Sequence, residues 1–198
     1  SPRWRATGWL RGSVKRVVDP RPWDRIYVAG AHSVGKTTLA RWVQRVTGYH
    51  YMAEWPRRLI AEWEVSLDTM RVDVARTGEF QLEAYRRHVE CEDALETPYL
   101  ADRTALDVVA YTGRHTLVVP QLVAAAADYS ARLREPRTLV LFVRPHPSLL
   151  AADGVRESPS WDEVVRVDAV LEFLFAYHGV SPVSLDSPSM VTRLRTVG

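Results

Sequence analysis

The chain has 198 residues, 46% of them hydrophobic, which is enough to bury one substantial core and sets one main domain as the expectation. A net charge of +2 does not by itself argue for nucleic acid. The apolar runs fall well short of the roughly 18 residues a membrane helix needs, and no hydrophobic signal core stands at the N-terminus, so a cytoplasmic protein without membrane attachment is expected.

Residues 1–24 read as a basic, Trp-containing arm or linker ahead of a domain spanning 25–198. Trp4, Trp9 and Trp23 are interleaved with Arg3, Arg5, Arg11, Lys15, Arg16 and Arg21, and Pro20 and Pro22 break any helix. Either the arm binds nucleic acid, with cations on phosphates and rings on bases, or its rings pack on the domain while the cations stay solvated. Ser1-Pro2, without a Met, suggests a processed start and a missing upstream domain.

From Arg25 onward, short apolar runs alternate with helical periodicity, the pattern of a mostly parallel five-stranded sheet covered by helices on both faces. Strands are predicted at 26–29, 50–53, 98–101, 138–143 and 182–185. Helices are predicted from Lys36 to about Val46 ahead of Gly48, near Pro56, over 79–96, over 104–111, from Pro120, and over 161–177. In the 79–96 stretch, Phe80, Ala84, His88, Cys91 and Leu95 form a buried stripe. There His88 reads as a core or boundary residue, and Cys91, which as the single cysteine has no internal disulfide partner, as buried filler. Asp168 is the odd acid on the apolar face of the last long helix.

Between the first strand and the first helix lies Gly30-Ala31-His32-Ser33-Val34-Gly35-Lys36-Thr37-Thr38, which satisfies G-x-x-x-x-G-K-S/T in the context that motif requires. Glycines let successive backbone N–H groups converge on phosphate, and the helix adds its positive end. Gly30, Ser33, Val34, Gly35, Lys36, Thr37 and Thr38 are therefore the candidate ATP-binding residues. Lys36 would reach the β- and γ-phosphates, Thr37 would hold Mg²⁺, and Thr38 would meet a phosphate nearer the sugar. The fold class that follows is a three-layer α/β/α P-loop NTPase.

A phosphate loop does not separate kinases from switches or motors, so the ends of the other strands decide. The strand at 98–101 ends on Asp102, which either holds Mg²⁺ or accepts a proton from an attacking hydroxyl, or simply caps the next helix. Arg103 and Asp107 follow in the pattern D-R-x-x-x-D; Asp107 either touches substrate or pairs with Arg103. After the second strand, Glu54, Trp55 and Arg57 offer an acid for a sugar hydroxyl, a ring for stacking and a cation for phosphate or carboxylate, or Glu54 caps a helix. After the fourth strand, Asp153-Gly154-Val155-Arg156 sits in a Pro/Gly/Ser-containing loop, and Arg156 is the candidate cation for the transferring phosphate. Ser187 and Pro188, after the fifth strand, form either one wall of an adenine pocket or a helix start.

Together these residues resemble the kinase domain of the NadR-type ribosylnicotinamide kinases, within a broader group of nucleoside-kinase-like P-loop proteins. The resemblance runs through Gly30 to Thr38, Glu54-x-x-Arg57, Asp102, Asp153 to Arg156, and Leu185 to Ser189, and Trp9 to Arg16 looks like that family's basic interdomain linker. It implies Mg²⁺-dependent transfer of the ATP γ-phosphate to the 5′-hydroxyl of nicotinamide riboside, with Lys36 and Thr37 serving ATP and Mg²⁺, Asp102 at the reaction centre and Glu54 and Arg57 near the acceptor. One departure stands out: Asp102-Arg103-Thr104 replaces the Asp-Thr-Asp those enzymes tend to carry, so one carboxylate expected near the ribose is absent. Two alternatives stay open, a kinase acting on DNA or a modified base within it, and a non-catalytic ATP-binding regulatory module.

Overall fold

The computed structural model describes residues 17–54, 59, 62–63, 73–112, 120–149 and 160–198. Five strands form one sheet: β1 (Arg25–Ala29), β2 (His50–Met52), β3 (Tyr99–Ala101), β4 (Thr138–Val143) and β5 (Val183–Leu185), in the order β2-β3-β1-β4-β5. All four pairings are parallel, so the sheet is wholly rather than mostly parallel. In register, Tyr27 of β1 lies between Ala101 of β3 and Val140 of β4.

Among the described residues six α-helices accompany the sheet: α1 (Lys36–Thr47), α2 (Val74–Asp93), α3 (Ala105–Thr112), α4 (Pro120–Leu133), α5 (Trp161–Tyr177) and α6 (Met190–Thr196). Right-handed crossovers fix the layers. The chain moves one way along the sheet through α1 and the other way through α2 to α5, so α1, with α6 packed on it, covers one face, and α2 to α5 group around α3 on the other. This is a three-layer α/β/α arrangement.

The burial pattern explains the strand sequences. Ile26, Tyr27, Val28 and Ala29 are fully buried because β1 is central and covered on both faces, hence a continuous apolar run and not an alternating one. The edge strand β2 leaves His50 exposed.

Helix α2 begins five residues before the expected 79 and stops short of 96. Asp73 caps it, accepting a hydrogen bond from Arg76 N at 3.0 Å. At the other end Thr97 precedes Pro98, a position where helical backbone is disfavoured, and the chain has already left the helix at Ala94. His88 is fully buried, as a core histidine, whereas Cys91 is only half-buried, a correction to the expected filler role. Asp168 is buried on α5 with its Oδ2 2.7 Å from Arg144 Nη2, so the odd acid has a cation to meet. Burial raises its pKa to about 6 against the pull of Arg144.

At the end of α2 a second polar group is enclosed. Glu92 accepts from Tyr27 Oη at 3.1 Å, Tyr129 Oη at 2.6 Å and Arg132 Nη1 at 3.0 Å, and His88 Nε2 lies 2.7 Å away. Burial opposes its ionisation, but these partners hold its pKa below the ordinary 4.5.

Candidate functional site

The loop from Gly30 to Gly35 leaves the central strand and turns into α1. Gly30 has φ +147°, and a Cβ there would stand 2.5 Å from the main-chain oxygen of Val143 on the neighbouring strand, so only glycine fits. Ser33 and Gly35, at φ +55° and +88°, supply the left-handed turns that let amides converge in a concavity. At the N-cap position of α1, Gly35 makes no side-chain cap, leaving the helix's first N–H groups for an anion.

Lys36 follows, 6% exposed, its ammonium donating to the Ala31 carbonyl across the loop. Burial, and next the positive charge of Arg103, push its pKa down to about 8, against the pull of Asp107, Asp102 and Glu54. Thr37 Oγ1 donates to Asp102 Oδ2 at 2.8 Å, and Tyr51 Oη donates to the same oxygen at 2.9 Å. Burial and the Asp102 charge raise the Tyr51 pKa, which keeps this phenol a donor. Asp102 is 1% exposed, and its other oxygen, Oδ1, is buried without a hydrogen-bond partner. A buried carboxylate oxygen beside the loop threonine suits a hydrated divalent cation shared with phosphates.

Beside this pair lies a cluster built on Arg103. Its backbone has φ +117°, strained for a residue with a Cβ, and its side chain is buried. Nε donates to Glu54 Oε2 at 2.6 Å, and the guanidinium lies 5.3 Å from the Tyr111 ring centroid, against whose other neighbour, the His32 ring, the spacing is 4.3 Å. Asp107 is fully buried and its two oxygens are already engaged: Oδ1 accepts from Gly30 N at 3.0 Å, and Oδ2 accepts from Thr104 N at 2.9 Å and Thr104 Oγ1 at 2.8 Å. Arg103 Nη1 stands 3.8 Å from Asp107 Oδ1.

These contacts sort the sequence expectations. Asp102 does not cap α3: Thr104 and Asp107 do so reciprocally, a capping box legible as Thr104-x-x-Asp107. Asp107 therefore shapes the phosphate loop and the start of α3. Gly30 turns its amide to Asp107, so its part in the loop is the close approach to Val143 and not a phosphate contact. The structure brings Lys36, Thr37, Glu54, Asp102 and Arg103 to one end of the sheet. Thr37 and Thr38 are exposed at the start of α1. The Ser187 carbonyl accepts from Arg193 Nε at 2.5 Å, and Arg193 Nη1 reaches the Val34 carbonyl in the phosphate loop at 3.0 Å, which sets the 187–188 segment beside that loop. Ser189 caps α6, accepting from Thr192 N at 3.3 Å, so this segment is a helix start as well. Trp55, Arg57, the expected helix start at Pro56, Arg156, and Trp4 and Trp9 of the arm lie outside the described residues. Trp23 is described and packs partly buried on the core, its Nε1 donating to the Asp19 carbonyl at 3.0 Å. Tyr51, Tyr111 and Arg193 were not singled out from sequence; no local motif marks them.

No helix among the described residues is long and apolar enough to cross a membrane. No curated protein matches the chain by sequence. Among solved structures, deoxyadenosine kinase from M. mycoides with bound dATP aligns at a TM-score of 0.58 with 16% identity, over 86% of this chain and 95% of that one. NadR protein in complex with NR aligns at a TM-score of 0.63 with 17% identity, over 89% of this chain and 50% of that one. NadR with NAD and AMP-PNP aligns at 0.58 with 22% identity, over 88% of this chain and 47% of that one. At these identities the likeness is one of fold, that of the nucleoside-kinase-like P-loop proteins. The family model of the AAA domain AAA_28 matches residues 25–193, and the chain belongs to that family.

Proposed function

We propose that this protein is an ATP-dependent kinase that transfers the γ-phosphate to a hydroxyl of a small nucleoside-like acceptor, with nicotinamide riboside the first substrate to try. The observation that carries this reading is the pair of carboxylates at the ends of adjacent strands: Asp102, bonded to the loop threonine, and Glu54, bonded to Arg103. The first suits any metal-nucleotide site; the second would give a transferase a group to orient or deprotonate an acceptor hydroxyl.

Thr37 and Asp102 would hold Mg²⁺, which when bound neutralises charge on the β- and γ-phosphates. The Gly35 and Lys36 region would grip the triphosphate through backbone N–H groups and the Lys36 ammonium. Glu54, held by the Arg103 guanidinium, would take the proton from the acceptor hydroxyl as its oxygen forms a bond to the γ-phosphorus and the bond to the β-phosphate oxygen breaks, releasing ADP. Glu54 would then give that proton to solvent. Arg103 would fix the carboxylate, and the Tyr111 ring would close that side of the pocket. Arg57 and Trp55 near the acceptor, Arg156 at the transferring phosphate and Ser187-Pro188 at the adenine complete the proposal. The fold shared with deoxyadenosine kinase and NadR supports a nucleoside-like acceptor.

The test is a screen of ribosides, nicotinamide riboside included, and short DNAs with γ-labelled ATP and Mg²⁺, using Lys36→Ala as the matched control. Label transfer to a riboside that Lys36→Ala loses is expected, with little salt dependence. Label appearing on DNA, with affinity falling steeply as salt rises, would move the acceptor to nucleic acid. ATP binding without transfer to any acceptor would leave a regulatory module.

A further inference from the structure

Arg193 is one of the most deeply enclosed large side chains of the protein, 1% exposed on α6. Its guanidinium is turned to main-chain carbonyls: Nε to Ser187 at 2.5 Å, Nη1 to Val34 at 3.0 Å and Nη2 to Arg144 at 2.7 Å. Those oxygens belong to three separate loops at the carboxyl end of the sheet: the phosphate loop after β1, the turn after β4 and the turn after β5. One planar fork therefore sets the spacing of three walls around one cleft, a geometry that a lysine's single ammonium does not reproduce.

Two consequences bear on an anion. In a trans peptide the C=O and the following N–H point in opposite directions. Holding the Val34 oxygen outward on Arg193 thus turns the Gly35 N–H toward the concavity. The same residue is pressed from α6 a second time, since a Cβ on Gly35 would stand 2.0 Å from Met190 Cε. The second consequence is electrostatic. Carbonyl oxygens satisfy the donors of Arg193 without carrying a counter-charge, and its positive charge, which the Asp186 carboxylate also meets, adds to the field at the loop. The nearest built anion cradle is the loop it holds.

We propose that Arg193 is a positioning residue for the nucleotide: by holding the Val34 carbonyl it presets the Gly35 amide for the triphosphate. Affinity for the phosphates depends on it more than affinity for the base. This rests on the reading of the loop as a nucleoside triphosphate site.

The experiment is calorimetric titration of the full chain with inorganic tripolyphosphate, ATP and adenosine, each with Mg²⁺, on wild type, Arg193→Lys, Arg193→Gln and Val167→Ala. The last removes buried volume from α5, a helix that supplies none of the three carbonyls, and serves as a stability match, with melting temperatures recorded for all. Arg193→Lys is expected to weaken tripolyphosphate and ATP by about tenfold, and Arg193→Gln by more, while adenosine, whose proposed wall at Ser187 the residue also holds, weakens by no more than about twofold. Val167→Ala is expected to melt earlier and bind all three ligands as wild type does. A folded Arg193→Lys protein that binds tripolyphosphate as tightly as wild type overturns the proposal, as does a loss that falls equally on adenosine. If Arg193→Gln does not fold, Arg193→Lys decides. A wild type that takes up neither ATP nor tripolyphosphate removes the triphosphate reading itself, a result distinguishable from failure of the variants alone.

Discussion

Thr37 and Asp102, 65 residues apart in the chain, meet through a hydrogen bond of 2.8 Å at the mouth of the phosphate loop. The contact is possible because β1 and β3 are neighbours in register, so the residues that follow the two strands emerge side by side. It leaves Asp102 Oδ1 buried and unsatisfied, and that oxygen is what the proposed metal would engage.

Asp102→Asn keeps the shape and removes the charge. It is expected to lower kcat by about a hundredfold or more and to raise the Mg²⁺ concentration needed for half-maximal rate, while ATP affinity changes little. Steady-state kinetics over a Mg²⁺ series checks this, and a near-normal kcat would remove Asp102 from the reaction centre.

Glu54→Gln takes the nearer of two carboxylates from a buried cation, leaving Asp107 at 3.8 Å. With both side chains of the pair largely enclosed, breaking it is expected to cost about 3–5 kcal/mol in denaturant unfolding and to slow transfer in addition. Glu54→Gln combined with Arg103→Met should recover most of the lost stability and none of the rate. Recovery of turnover would show that Glu54 serves the fold alone.

The pH behaviour of Lys36 gives two opposite slopes. Its folded value of about 8 lies below the ordinary 10.5, so between these the unfolded chain holds a proton that the folded protein does not. Stability from this group therefore rises with pH across that window. Phosphate grip needs the ammonium, so kcat/KM for ATP is expected to fall as pH passes about 8. Lys36→Met should abolish turnover and flatten its share of the stability slope, measured by urea titration at several pH values.

Glu92 supplies an acid-side prediction. Its pKa is held below the ordinary 4.5, so its stabilisation is complete above that value and is lost as pH falls through the folded one. Glu92→Gln leaves Arg132 and two tyrosine hydroxyls short of their acceptor and is expected to cost about 3 kcal/mol at neutral pH, with a shallower acid unfolding slope than wild type. Nucleotide affinity of the folded variant should be unchanged.

The part of the site that sequence displays is the part built locally. Gly30 to Thr38 carries its own turn chemistry, and the apolar runs ending in Glu54 and Asp102 place acids at strand ends because a parallel sheet directs all its carboxyl ends one way. What stayed hidden depends on strand order, which periodicity does not encode. Tyr51 reaches Asp102 only because β2 pairs with β3, and Arg193 reaches Val34 across 159 residues only because α6 returns over α1. Asp107 shows a third case. Its capping-box spacing with Thr104 was legible, but a carboxylate has two oxygens, and the second one's partner, Gly30 N, comes from another strand's end. Asp168 looked misplaced on an apolar helix face for the same reason: Arg144, its partner, follows β4.

The central place of β1 has a consequence in time. Its flanking strands, β3 and β4, begin at Tyr99 and Thr138, so a polypeptide leaving the ribosome carries its glycine turn long before it carries either wall of the cleft. A nascent chain halted before Thr138 would own every letter of the motif and lack the strand whose Val143 oxygen crowds Gly30. Competence to grip phosphate should thus arrive abruptly, once β4 has emerged, and not grow in step with length.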